Sequence, residues 1–140
     1  LHIAGPGDED RVRTEADERE GYRVLGFCDD MPSAYAVADA VVARSGASSM
    51  TELAHLGLPS ILVPFPYAAD DHQTVNARVF SDAGAAFLET EAELDATGLA
   101  ARIVELLQDE TRERMSAAAR ALAVPDAAGR VCNAIESTLK

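Results

Sequence analysis

Basic residues are scarce in this 140-residue chain. Twelve Lys and Arg face 24 Asp and Glu, for a formal net charge of −12. Nucleic-acid backbones are bound through clustered Lys and Arg, so a nucleic-acid partner is disfavoured, as is direct docking of this segment on an anionic membrane. Long hydrophobic runs are missing too: no apolar stretch approaches the roughly 18 residues that cross a bilayer, and nothing resembles a signal peptide. Only two cysteines occur, Cys28 and Cys132, at no metal-type spacing. They read as small apolar residues of a reducing, cytoplasmic compartment. The chain has no internal repeat and no low-complexity linker. It also lacks a Gly-x-Gly-x-x-Gly after a strand, which disfavours a dinucleotide-dependent oxidoreductase. Leu1 opens an apolar run with no Met and no basic segment ahead of it. A chain cut inside a larger protein looks this way, and a fragment is expected.

What is present fits one ordinary domain with a real core: 48% of the residues are hydrophobic and 26% charged, the balance of a globular fold and not of a disordered chain. The acids gather at residues 8–20 and 89–95, expected to be solvated faces and loops. Residues 1–4 and 22–27 read as short strands, and residues 9–20 as a charged helix closed by Gly21. A short helix is expected at 32–38, with Pro32 in its first turn, where a missing N–H costs nothing. Residues 40–43 are continuously apolar, as in a strand buried on both faces of a parallel sheet. The spacing then predicts a helix over 49–56, a buried strand within 59–65, a helix over 72–83 and a strand over 85–88. Residues 94–140 read as helical: Leu99, Ile103, Leu106 and Leu107 mark an amphipathic helix, and two more flank Pro125. This alternation predicts an α/β fold, a Rossmann-like parallel sheet with helices on both faces. Ligands of such sheets sit beyond the carboxyl ends of the strands, so the loops of interest are 27–31, 44–49 and 64–73.

In the loop Arg44-Ser45-Gly46-Ala47-Ser48-Ser49, small residues let a ligand come close to the backbone, and the following helix N-terminus favours an anion such as a diphosphate. An ordinary tight turn with a serine N-cap fits the same residues. Glu52 can accept both hydroxyls of a ribose diol, but Ser49-Met50-Thr51-Glu52 is also the pattern of a capping box. Gln73 and Asn76, at i and i+3 on one helix face, suit the mixed hydroxyls of a sugar, or form a solvated face. Asp70 and Asp71 read as acids complementing a helix dipole, and no metal site is expected, because no His or Cys joins the Asp pairs at ligand spacing. His72 has no identifiable carboxylate partner for a role as base and reads as lining the crevice or capping the helix. His2 and His55 read as structural. Backbone groups at Phe27-Cys28 can meet the edge of a planar base. Gly5-Pro6-Gly7 lacks the third glycine of a phosphate loop and reads as a plain turn.

In chain order, Phe27-Cys28-Asp29-Asp30-Met31, Ala38-Asp39, Arg44-Ser45-Gly46-Ala47, Thr51-Glu52-Leu53, Gly57-Leu58-Pro59, Val63-Pro64, Asp71-His72-Gln73, Asn76-Ala77 and Gly84-Ala85-Ala86 resemble the C-terminal domain of the MurG family, the N-acetylglucosaminyltransferases of peptidoglycan synthesis. The likeness runs over almost the whole chain. It implies the C-terminal half of a GT-B glycosyltransferase, a donor domain for UDP-N-acetylglucosamine. By position, it places Cys28 against uracil through its backbone. It wraps the nucleotide and sugar with Ala47, Ser48, Ser49, Met50, Thr51 and Glu52, with Glu52 on the ribose diol. It sets Gln73 on the sugar hydroxyls, with Asn76 nearby. No cofactor or metal is implied.

The resemblance further implies inverting transfer of N-acetylglucosamine to lipid I, giving lipid II, at the cytoplasmic face of the bacterial inner membrane. The family's first strand and Gly-rich phosphate loop would precede Leu1. The N-terminal domain, which carries the base, the lipid I site and the membrane contact, is expected outside this chain. No catalytic residue is therefore assigned within it, and the segment alone is expected to be inactive. Another GT-B transferase using a UDP-sugar, and a nucleotide-binding module without catalysis, are the rival readings.

Overall fold

Short apolar runs alternate with polar, helix-compatible segments along the sequence, and the computed structural model of the protein turns them into parallel strands and helices. It describes residues 1–17 and 19–139, in two compact units, Leu1–Ala38 and Asp39–Lys140.

In the first unit, β1 (His2–Ile3) pairs in parallel with β2 (Val24–Leu25), on either side of helix α1 (Glu9–Ala16). The helix is shorter than the 9–20 expected. Asp17 adopts a left-handed conformation (φ 48°) and ends it, so Gly21 is not its cap; an aspartate tolerates this region better than most residues. Glu18, within the expected helix, lies outside the described residues. At Gly26 a Cβ would meet the Glu9 carboxylate, which would have to swing aside. Helix α2 (Met31–Ala36) follows, with Pro32 in its first turn as expected and Asp30 as N-cap, accepting from the Ser33 N–H at 3.1 Å. His2 bonds the Tyr22 hydroxyl through Nδ1 at 2.7 Å.

The second unit is built on the parallel sheet β3 (Val41–Ala43), β4 (Ser60–Leu62) and β5 (Ala86–Leu88), with β4 in the middle. Neighbouring strand residues point to opposite faces. Ile61 and Leu62 are both fully buried, so β4 is covered on both sides. β3 is not the doubly buried strand that its apolar run predicts, because Val42 is exposed and Val41 and Ala43 are half-buried at the edge of the three-stranded sheet. The connections run through α3 (Ala47–Leu56) between β3 and β4 and α4 (His72–Asp82) between β4 and β5. After β5 come α5 (Ala96–Leu106), α6 (Asp109–Ala121) and α7 (Ala127–Thr138). Ile61 packs with Leu106 of α5 and Met115 of α6, surrounded by Ala40, Val63, Phe87, Leu99 and Ile103. Leu107, expected on the apolar stripe, is the C-cap of α5 and exposed. Gly57 closes α3 at φ 65°, and its carbonyl accepts from Ser116 Oγ of α6 at 2.7 Å.

The acids at 89–95 are not simply solvated. Glu89 pairs with Arg102 at 2.5 Å, Glu91 pairs with Arg44, and Asp95 caps α5 by accepting from Gly98 N–H at 2.7 Å. Cys132 also departs from expectation: it is exposed on α7, a helix that buries none of its described residues, whereas Cys28 is half-buried. The C-terminal residue Lys140 lies outside the described residues.

Two measurements check this packing. Ile61→Ala should lower the unfolding free energy by about 2–5 kcal/mol, and Ser116→Ala by about 1 kcal/mol, both read from urea denaturation. The second concerns α2. The Ser33 hydroxyl, and then its backbone N–H, hold the Asp30 carboxyl below the ordinary aspartate value. A lowered acid stabilises the fold in full above its unfolded pKa and ceases to as pH falls through the lowered one. The Ser33 amide resonance should therefore titrate with a midpoint below the usual aspartate range, and Ser33→Ala should move the Asp30 midpoint upward.

Candidate functional site

The carboxyl ends of β3 and β4 are held by the two residues that follow β3. Arg44 Nη1 donates to the Val63 and Pro64 carbonyls, each at 3.1 Å. Its Nη2 pairs with Glu91, and its guanidinium lies 5.6 Å from the centre of the Phe65 ring. One side chain thus joins the loops after β3, β4 and β5. Ser45 is fully buried. Its hydroxyl donates to the Gln73 carbonyl at 2.7 Å, and its own carbonyl accepts from Asn76 Nδ2 at 3.0 Å. A buried loop must satisfy its backbone groups without water, and this loop does so against α4.

Gly46, in extended conformation (φ −68°, ψ 148°), is the N-cap of α3 and makes no side-chain cap bond. The helix starts at Ala47, two residues earlier than the sequence pattern suggested. Ser49 therefore sits inside the first turn and is not an N-cap, so the capping box that competed for Glu52 does not form. The amides of Ala47, Ser48 and Ser49 precede the first intrahelical acceptor, with the Met50 N–H the first to bond back, to the Gly46 carbonyl at 3.0 Å. Those amides and the helix dipole make the opening turn of α3 a place for an anion.

The predicted residues on α3 divide by exposure. Ala47, Ser48, Thr51 and Glu52 are exposed, Ser49 is half-buried, and Met50 is buried in the core. Met50 thus offers only its backbone to a ligand. Thr51 Oγ1 donates back to the Ala47 carbonyl at 3.0 Å. Glu52 lies in the second turn, four residues after Ser48 and so on the same face.

Gln73 and Asn76 are half-buried, not a solvated face. Gln73 Oε1 accepts from the Phe65 N–H at 3.0 Å, which turns its NH2 group to the remaining partners. Asn76 is held to Ser45 as described. Ahead of them, Asp70 and Asp71 are both left-handed (φ 51° and 52°) and exposed; Asp71 is the N-cap of α4, without a side-chain cap bond. His72 is exposed and bonds the Ala69 carbonyl through Nδ1 at 2.6 Å, so it caps the turn before α4. His55 bonds the Thr51 carbonyl through Nδ1 at 3.0 Å, in keeping with a structural role.

The structure therefore ties Gln73 and Asn76 of α4 to Ser45, which lies two residues ahead of the α3 segment 47–52. Cys28 belongs to the first unit, three residues beyond the end of β2. Arg44 and Ser45, which organise the loops, stand in the ligand loop the sequence marks at 44–49, but the sequence assigns neither a role of its own. The available signal is a pair of polar residues directly after an apolar run. Among the described residues no group of three or more His, Cys, Asp and Glu could hold a metal ion. Nor is any described helix long and apolar enough to cross a membrane.

Comparison with known proteins bears on the same segments. The profile of the glycosyltransferase family 28 C-terminal domain matches residues 1–131. The UDP-N-acetylglucosamine–N-acetylmuramyl-(pentapeptide) pyrophosphoryl-undecaprenol N-acetylglucosamine transferase of Gloeobacter violaceus is 40% identical over 100% of this chain and 40% of its own length. The protein of the same name from Nitratidesulfovibrio vulgaris is 45% identical over 99% of this chain and 39% of its own. A crystal structure of Acinetobacter baumannii MurG superposes with a TM-score of 0.86 at 31% identity, covering 95% of this chain and 41% of that one. The likeness to MurG read from the order of the motifs is thus borne out. The chain spans about 40% of the length of these curated relatives. With the family profile matching nearly all of it, and an α/β fold of parallel strands shared with MurG, the chain belongs to the glycosyltransferase family 28 C-terminal domains.

Proposed function

We propose that this chain is the donor-binding half of an N-acetylglucosaminyltransferase that moves N-acetylglucosamine from UDP to lipid I, forming lipid II in peptidoglycan synthesis. The observation that carries the reading is the opening turn of α3. Its N-cap Gly46 has no side chain to occupy the amides of residues 47–49, and the preceding Ser45 is locked in place by α4. The diphosphate is assigned to these amides. The ribose diol is assigned to the exposed Glu52 carboxylate, and the sugar hydroxyls to Gln73, whose NH2 group is left to donate once Oε1 accepts from Phe65. Cys28, in the first unit, is assigned to the uracil by the resemblance alone.

The reaction is an inverting displacement. The muramyl 4-hydroxyl attacks the anomeric carbon, the bond from that carbon to the diphosphate oxygen breaks, and the hydroxyl proton passes to a base. Charge building on the departing diphosphate is met by the α3 amides and dipole, fixed before the reaction begins. The base, the lipid I site and the contact with the cytoplasmic face of the inner membrane are assigned to the part of the relatives' length that this chain does not span. The names of those relatives, which specify donor and acceptor, support the assignment.

Titration calorimetry on the full-length protein tests it. UDP-N-acetylglucosamine should bind more tightly than UDP-glucose or UDP-galactose. Glu52→Ala should weaken both UDP and UDP-N-acetylglucosamine roughly 10-fold or more, the scale of a lost charged hydrogen-bond pair. Equal affinity for the three sugars would favour another UDP-sugar transferase. Undiminished binding by the Glu52 variant would point to a nucleotide module with a different site.

A further inference from the structure

The peptide unit between Pro64 and Phe65 is held at both ends by side chains. Its carbonyl accepts from Arg44 Nη1 at 3.1 Å, and its N–H donates to Gln73 Oε1 at 3.0 Å. A trans peptide is planar, with its carbonyl and N–H pointing in opposite directions, and no described peptide bond is cis. Fixing one end therefore fixes the other. Arg44 Nη1 also takes the Val63 carbonyl at 3.1 Å, so two successive carbonyls converge on one cation. Bonds to a charged donor are about twice as strong as neutral ones. Glu91 pairs with Nη2, and the Phe65 ring lies 5.6 Å from the guanidinium. Pro64 is buried and has no N–H, so its carbonyl is the polar handle by which this peptide can be turned. A carboxamide, in turn, is two-sided: its oxygen accepts and its nitrogen donates. Facing the Phe65 N–H, Gln73 presents its oxygen to the loop and keeps its NH2 group for a ligand. Were the peptide to turn over, the Pro64 carbonyl would face Gln73, and the amide would have to reverse to meet it.

We infer that Arg44 is a positioning residue for the donor sugar: by gripping the Pro64 carbonyl it sets which end of the Gln73 carboxamide faces the ligand. This rests on the reading above that Gln73 meets the sugar hydroxyls. Arg44 acts through the peptide and Gln73, and touches neither sugar nor diphosphate itself. The opening turn of α3 does not depend on it, because Ser45, which stands between them, is held to α4 by two bonds of its own. Loss of the guanidinium is therefore felt by the sugar and not by the diphosphate.

The experiment is calorimetric titration of the full-length protein with UDP and with UDP-N-acetylglucosamine, for the unaltered protein, Arg44→Met, Gln73→Ala and the double variant. Methionine keeps an unbranched chain beside Phe65 and removes the donors. Arg44→Met is expected to weaken UDP-N-acetylglucosamine roughly fivefold to tenfold, the range of one hydrogen bond, and to leave UDP unchanged. In the Gln73→Ala background the same change should cost no further affinity, because a residue that acts through Gln73 has nothing left to act on. Arg44→Lys keeps the charge without the planar fork; it should recover part of the loss, and it carries the comparison if the Met variant does not fold. Equal weakening of UDP and UDP-N-acetylglucosamine by Arg44→Met would overturn the inference in favour of a direct diphosphate contact. Independent losses that multiply in the double variant would overturn it in favour of a direct sugar contact by Arg44. A lowered unfolding midpoint with both affinities unchanged would overturn it in favour of a purely structural role. Undiminished UDP-N-acetylglucosamine binding by Gln73→Ala would instead remove the sugar assignment on which it rests.

Discussion

Ser45, directly after Arg44 at the end of β3, stands where water does not reach, so its polar groups must find their partners within the protein. Its hydroxyl and carbonyl are both spent on α4. Because Ser45 is spoken for, Gly46 can stand in extended conformation as a cap without a side chain, and the helix behind it begins with amides turned towards the carboxyl end of the sheet. Without the anchor, such a glycine-led turn would be free to wander, since glycine has the least steric restriction of any residue. The buried serine and the permissive glycine next to it form one device, rigid on one side and open on the other.

The sheet supplies the platform for this device through burial on both faces of β4. Ile61 faces α5 and α6 and Leu62 the opposite layer, and neither leaves any surface to solvent. The strands are only three residues long, yet their ends are extended by polar contacts. Arg44 donates to the carbonyls of Val63 and Pro64, where β4 has stopped and the backbone oxygens need partners. Apolar burial thus sets where the strands lie, and a handful of charged and hydroxyl groups sets how the loops leave them.

Much of this was legible in the sequence. The apolar runs around Val42 and Ile61 and the glycine at 57 gave strands and a helix end close to where they lie. The parallel α/β class and the order of the motifs pointed to the family. What failed did so for local reasons. The sequence pattern puts the start of α3 too late because Ser49 and Glu52 have the spacing of a capping box, a side-chain signal. The actual cap is a glycine whose backbone conformation leaves no mark in composition. The end of α1 was read late because a left-handed aspartate took the role expected of Gly21. Nothing in the sequence marks Ser45 on its own, because its partners stand about 30 positions away, beyond the reach of any periodicity. Gln73 and Asn76 were paired correctly on one helix face. That their amides would first be used within the protein could be seen only in three dimensions.

The Arg44 side chain ties three loops together, after β3, β4 and β5, through two carbonyls and Glu91. Loops on such sheets are commonly treated as independent surfaces that evolution or an engineer can exchange one at a time. Here a replacement of the segment before α4 that shifts its backbone would draw the Val63 and Pro64 carbonyls away from Arg44 and take Phe65 from beside the guanidinium, while a change near Glu91 would release the same arginine from the other side. New substrate preferences in this scaffold should therefore arise through coordinated replacement of several segments, and chimeras that transplant a single loop from a distant homologue should inherit its sequence without its shape.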